Sequence, residues 1–218
     1  GIPGTTYTLR WTISNNPCAS SFDEALITFN QQPTTANAGP DQTDAATCGL
    51  TTVTLAANVP TIGTGAWSII SGTGGSFADA TNPTTTFSGT AGATYTLRWT
   101  VSNSPCNAST DDVVITFNQN PSAANAGADQ TGAATCGLTQ VSLVANTPAV
   151  GTGTWSVING TGGSFGNVNN TSTTFNGAAG TTYTLRWTII STGTTCTSSS
   201  DDVVVTFNRS EEHTSELQ

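Results

Sequence analysis

The side chains of this 218-residue chain that are capable of chemistry are its carboxylates, its five thiols and its many hydroxyls. Asp41, Asp111 and Asp112 supply the oxygen ligands that a hard cation such as calcium requires, and they are the candidate metal residues. Asp111 and Asp112 also have the composition of a glycosidase acid and base. Consecutive residues of a strand point to opposite faces, however, so the two cannot flank one glycosidic bond, and a solvated start to a strand is the expected role. A Ser, Thr or Cys nucleophile needs a base; the chain has no Lys, and its one histidine, His213, lies in a compositionally distinct tail. The glycine-rich stretches Gly72–Ser76 and Gly160–Ser164 imitate phosphate loops but lack the following Lys and the helix that such loops require. A non-enzyme follows, with no catalytic residue, no cofactor and no metal unless the three aspartates gather at one end of a domain.

These residues are positioned by a repeat. Tyr-Thr-Leu-Arg-Trp-Thr occurs at 7–12, 95–100 and 183–188, and the pairs Trp67/Trp155 and Cys48/Cys136 keep the same spacing of 88 residues. That period exceeds a solenoid unit and approaches a small domain with its own core. The expected organisation is the C-terminal part of a truncated repeat at 1–31, complete repeats at 32–119 and 120–208, and a non-native tail at 209–218. All ten residues of that tail, Arg209 to Gln218, match the conceptual translation of a common sequencing adapter, so they are excluded from the fold.

The repeat also orders the cysteines. Cys48 and Cys106 belong to one copy, Cys136 and Cys196 to the next, and Cys18 is equivalent to Cys106. The expected disulfides are Cys48–Cys106 and Cys136–Cys196, each closing a loop of roughly 60 residues and contributing about 4 kcal/mol on the loop-entropy model. Disulfides imply an oxidising compartment, hence an extracellular or cell-surface location. Free buried thiols are the alternative; no CxxC spacing supports a metal site.

Charge narrows the partners. Removing Arg209, Glu211, Glu212 and Glu216 takes the net charge from −9 to −7 and leaves only Arg10, Arg98 and Arg186 as cations. With no basic patch, nucleic acid and anionic membrane surfaces are poor partners. No apolar run is long enough to span a bilayer. Each Arg sits on the outer face of its motif, where a local ion pair is expected and a contact between neighbouring repeats is the alternative.

Alternation supplies the fold class. Val53, Leu55 and Ala57 share one face; so do Trp67 and Ile69, then Tyr95, Leu97, Trp99 and Val101, then Val113, Ile115 and Phe117. Short alternating runs between Gly, Pro and Asn turns, with no helical period, predict an all-β protein of tandem antiparallel immunoglobulin-like β-sandwiches.

The order of Ala38-Gly39-Pro40-Asp41-Gln42-Thr43 (and 126–131), an early Trp67 or Trp155, the Tyr-Thr-Leu-Arg-Trp strand and a late Asp111-Asp112 or Asp201-Asp202 resembles the PKD-like repeats of large secreted proteins from Bacteroidetes-type bacteria. The resemblance covers nearly the whole chain. It implies a structural segment of a bacterial extracellular protein, a stalk or adhesin spacer. The alternative is an accessory carbohydrate- or protein-binding module of a secreted enzyme, with a glycan or a surface protein as ligand. Neighbouring repeats are expected as partners in either case.

Overall fold

The computed structural model describes residues 1–193 and 195–210. The proposed non-native tail therefore lies, from Glu211 onward, outside the described residues. The described residues form two compact units, Gly1–Thr43 with Thr51–Thr116, and Asp44–Leu50 with those from Phe117 onward.

In the first unit, β1 (Thr6–Ile13) and β2 (Ser21–Thr28) make an antiparallel hairpin, in register from Thr6 opposite Thr28 to Ile13 opposite Ser21. Six further strands follow: β3 (Thr52–Thr54), β4 (Thr64–Ser71), β5 (Ser76–Phe77), β6 (Thr86–Ser88), β7 (Thr94–Ser102) and β8 (Ser109–Thr116). They form two antiparallel sheets, ordered β4-β7-β8 and β3-β6-β5. The expected alternation holds, with Val53, Leu55, Ala57, Trp67, Tyr95, Leu97, Trp99, Val101, Val113 and Ile115 all buried. Phe87 of β6 meets Tyr95 of β7 edge to face at 5.0 Å, so the two sheets pack against each other as a sandwich. Within one sheet, Trp67 lies opposite Trp99, with ring centroids 5.1 Å apart.

Two glycines make room for this aromatic core. A Cβ at Gly65 would collide with the Trp99 indole, so the backbone of β4 lies directly on the ring. Gly72, at φ +99°, turns the chain against Tyr95 in a conformation that side-chain-bearing residues rarely adopt. The turn is then tied to the core, because the Tyr95 hydroxyl donates to Thr73 O at 2.9 Å and accepts from Thr90 N–H at 2.9 Å.

The second unit contains β9 (Gln140–Val144), β10 (Thr152–Asn159), β11 (Ser164–Phe165), β12 (Ser172–Asn176), β13 (Thr182–Ile190) and β14 (Ser199–Thr206). Its sheets are β10-β13-β14 and β11-β12-β9, in the same arrangement. One core gathers Leu143, Trp155, Phe175, Tyr183, Trp187, Val205 and Phe207. Phe175 meets Tyr183 across the sheets at 4.9 Å. This unit also holds two 3-10 turns, Asp44–Thr47 and Gly132–Thr135. No helix among the described residues is long and apolar enough to cross a membrane.

Candidate functional site

Two carboxylates of each unit, Asp41 and Asp111 in the first and Asp129 and Asp201 in the second, share one structural task, which is to fix the segment that leads into each sandwich. In the first unit this segment runs beside β8, and its backbone donors and acceptors are met in turn. Ala36 N–H donates to Ser109 Oγ at 2.9 Å, Ala38 N–H to Asp111 Oδ2 at 2.8 Å, and Gln42 N–H to Val114 O at 2.9 Å. In return Val114 N–H donates to Asp41 Oδ1 at 2.8 Å and Thr116 N–H to Gln42 O at 3.0 Å. The outcome is a parallel bridge, Gln42 to Ile115, on the edge of the β4-β7-β8 sheet. Ser109 and Asp111 serve the latch together because residues two apart on a strand share a face. Ala36 and Ala38 are buried, so their amides would otherwise be left without water or partner.

The same latch recurs in the second unit. Ala124 N–H donates to Ser199 Oγ, Ala126 N–H to Asp201 Oδ2, and Val204 N–H to Asp129 Oδ1, at 2.9, 2.8 and 2.8 Å.

Asp112 works on the opposite face of β8. Its two carboxylate oxygens accept from Arg98 Nε and Nη2 at 2.7 and 2.8 Å, a two-point pair across the register of β7 and β8. The hydrogen bond from Arg98 holds the Asp112 carboxyl below its ordinary pKa against partial desolvation, with the guanidinium charge adding to the effect. Arg186 and Asp202 repeat the pair, and the Asp202 carboxyl is lowered for the same reason. Arg10 instead bonds one oxygen of Glu24 and lies 4.1 Å over the Phe22 ring. Asp41, Asp111 and Asp112 are thus directed to three different partners, and no cluster of three metal-ligating side chains occurs among the described residues. The solvated role expected for the adjacent pair fits Asp112 only; Asp111 is a half-buried latch residue.

The thiols depart from expectation. Cys48 is bonded to Cys196, with Cα atoms 5.6 Å apart, whereas Cys106 and Cys136 are free thiols, as is Cys18. The expected pairs Cys48–Cys106 and Cys136–Cys196 are therefore corrected. Strand length explains the second of them. Gly137 N–H donates to Asn208 O, which places Cys136 beyond the C-terminal end of β14, while Cys196 precedes its N-terminal end at Ser199. Eight strand residues separate these ends by about 25 Å, against the ~7 Å that a disulfide tolerates between Cα atoms. Cys48, directly after the 3-10 turn Asp44–Thr47 in the second unit, reaches Cys196 instead.

Around this disulfide lies a cleft of about 550 Å³, lined by Ala45, Asn120, Pro121, Ala123 and the 195–199 connection. Among the described residues it is lined by no charged side chain and no aromatic ring. A second cleft, of about 480 Å³, has Trp187 at its floor beneath Gly153. Trp187 is fully buried, as is Trp99, so neither presents a ring face to a sugar.

The glycine-rich stretches that imitate phosphate loops are turns joining β4 to β5 and β10 to β11. The latch acceptors Ser109 and Ser199 are the functional residues that sequence reasoning missed. Their signal is the Ser-x-Asp spacing, which sets hydroxyl and carboxylate on one strand face.

The class these features define is an all-β protein of antiparallel immunoglobulin-like sandwiches. No family model matches the sequence, and no curated protein matches it. Among solved structures the chain is similar to human CDH23 EC21-23, at 13% identity over 92% of this chain and 73% of that one, with a TM-score of 0.43. It is similar also to the insect immune protein hemolin, at 8% identity, 92% and 56% coverage and a TM-score of 0.45. The fibronectin(III)-like modules of Clostridium thermocellum CbhA align at 13% identity, 83% and 95% coverage and a TM-score of 0.34.

Proposed function

We propose that this chain is a structural, non-catalytic segment of an extracellular repeat protein, a stalk or adhesin spacer of the kind found on bacterial surfaces. In this reading residues 1–31, 32–119 and 120–208 are successive immunoglobulin-like repeats of a Bacteroidetes-type PKD-like array, followed by a non-native tail at 209–218. One observation carries it: the aspartates proposed for chemistry, Asp41, Asp111 and Asp112, hold the fold together instead, as do their counterparts in the second unit. Asp41, Asp111, Asp129 and Asp201 bond leading-segment or strand amides, and Asp112 and Asp202 bond arginines. A scaffold whose polar side chains are committed internally is suited to holding distance. The disulfide adds to this, since it favours an oxidising, extracellular setting.

Force is the natural probe of a spacer. Pulled by its ends in the oxidised state, the chain is expected to keep the residues between Cys48 and Cys196 locked. Reduction should lengthen the fully stretched chain by on the order of 500 Å, from the extended rise per residue. The spacer reading predicts resisted unfolding in both states. Extension without a force peak would overturn it. The competing binding-module reading predicts retention of this chain on a glycan array, whereas the buried Trp99 and Trp187 lead us to expect none.

A further inference from the structure

The disulfide joins two residues that the 88-residue repeat assigns to consecutive copies, the turn cysteine of one and the hairpin cysteine of the next. The free thiols occupy the same two kinds of position. Cys136 is the turn cysteine of its copy. Its amide donates to Ala133 O at 3.3 Å, as the Cys48 amide donates to Ala45 O at 3.4 Å. Both sulfur atoms lie 3.6 Å from the carbonyl of the residue four earlier, Gly132 for Cys136 and Asp44 for Cys48. Gly137 N–H donates to Asn208 O and Gly49 N–H to Asn118 O, at 2.9 and 2.8 Å, and Asn208 and Asn118 each bond back to their turn through Nδ2. Cys136 thus sits, exposed, in the local frame that Cys48 uses to form its bond. Cys18 and Cys106 are hairpin cysteines, each with its amide on the residue three earlier, Asn15 O and Asn103 O.

We infer that the cysteines form a ladder between repeats, in which the turn thiol of each copy bonds the hairpin thiol of the copy after it. Cys136 is the donor for a following repeat, and Cys18 and Cys106 are the acceptors for turn cysteines of preceding ones. This rests on the array reading and deepens it, because every rung would fasten consecutive repeats covalently. The single rung present and the three free thiols are what one rule gives for the copies in this sequence. Pairing within a copy would leave one free thiol. Each rung forms by thiol–disulfide exchange. The turn thiolate attacks an oxidised dithiol carrier, giving a mixed disulfide and one reduced carrier sulfur. The hairpin thiolate then displaces the second carrier sulfur, and the two thiol protons leave with the reduced carrier.

The four arginines, Arg10, Arg98, Arg186 and Arg209, make the test direct. After oxidation in a glutathione buffer, unfolding, alkylation and trypsin cleavage, the Cys48–Cys196 rung joins peptide Trp11–Arg98 to Trp187–Arg209 and leaves Trp99–Arg186 unlinked. Pairing within copies would instead join all three peptides and overturn the ladder. The rule is then extended by fusing a second copy of residues 120–208 after Asn208. Alkylation of Cys136 is expected to fall about tenfold or more, with its peptide now linked to the added hairpin cysteine. Cys136→Ser in the fused chain should free that added thiol. A fused chain that melts cooperatively but leaves Cys136 alkylated overturns the ladder while leaving the array reading standing. Failure of the added copy to fold counts against the array itself. In that event Cys48→Ser in the parent chain decides the ladder, because the rule requires Cys196 to remain free, and capture of Cys136 by Cys196 would overturn it.

Discussion

The same six residues occupy two environments within the first unit. In β7, Tyr95, Leu97 and Trp99 are wholly buried; in β1, Leu9 is 53% exposed and Trp11 74% exposed. Both strands have an antiparallel neighbour in matching register, β8 for one and β2 for the other. The difference is the second layer. β7 is faced by Phe87 and flanked by Trp67, whereas among the described residues β1 and β2 form a two-stranded sheet of their own. Alternation therefore specifies which face of a strand is apolar, and the covering sheet decides whether that face yields stability.

Truncating the tryptophan in each strand should expose this contrast most sharply. Trp99→Ala removes a ring that fills the space under Gly65 and against Trp67, and large-to-small changes of this kind cost about 3–5 kcal/mol. Trp11→Ala removes a ring already in solvent, and its expected effect is within about 0.5 kcal/mol. Denaturant titration of the two variants checks the prediction; equal losses would mean that β1 is covered in solution.

Much of the architecture was legible because period-two patterning reports strand faces without reference to tertiary structure. Val53, Leu55, Trp99 and Ile115 could be assigned inward from their neighbours alone. The disulfide could not. Cys136 and Cys196 look like partners within one copy until β14 is known to hold them at opposite ends, and that is a property of topology rather than spacing. The latch was half visible: the Asp-Asp pair announced two faces of a strand, but which carboxylate met a backbone amide depended on where the leading segment ran. Arg98 was the simplest case, since its cross-strand partner lies in the very strand that the repeat places next.

The next contrast lies in the same motif, at its tyrosine. Tyr95 closes two hydrogen bonds inside the sandwich, to Thr73 O and from Thr90 N–H, whereas the Tyr7 hydroxyl accepts from Ile2 N–H in an exposed setting. Tyr95→Phe leaves a half-buried amide and carbonyl without that partner and should cost about 1–3 kcal/mol. Tyr7→Phe should be close to neutral. Asp111→Ala tests the latch on the same scale, about 1–3 kcal/mol, because it strands the buried Ala38 amide. Hydrogen exchange at Ala38 should accelerate in that variant and stay unchanged in Asp112→Ala.

The smallest expected effect belongs to the arginine. Arg98 grips both oxygens of Asp112, while Arg10 holds one oxygen of Glu24 and rests on Phe22. Both pairs lie at the surface, so water and salt screen them, and Arg98→Ala should leave the melting temperature within about 2 °C of the parent. The sign of its pH dependence is still fixed. Because the hydrogen bond from Arg98 lowers the Asp112 pKa in the fold, the pair's contribution is complete above the ordinary carboxylate value. It is lost as pH falls through the lowered one. The difference between parent and Arg98→Ala should therefore be present at neutral pH and vanish in strongly acidic solution. A difference that persists there would show that Arg98 acts through the packing of its alkyl chain rather than through its charge.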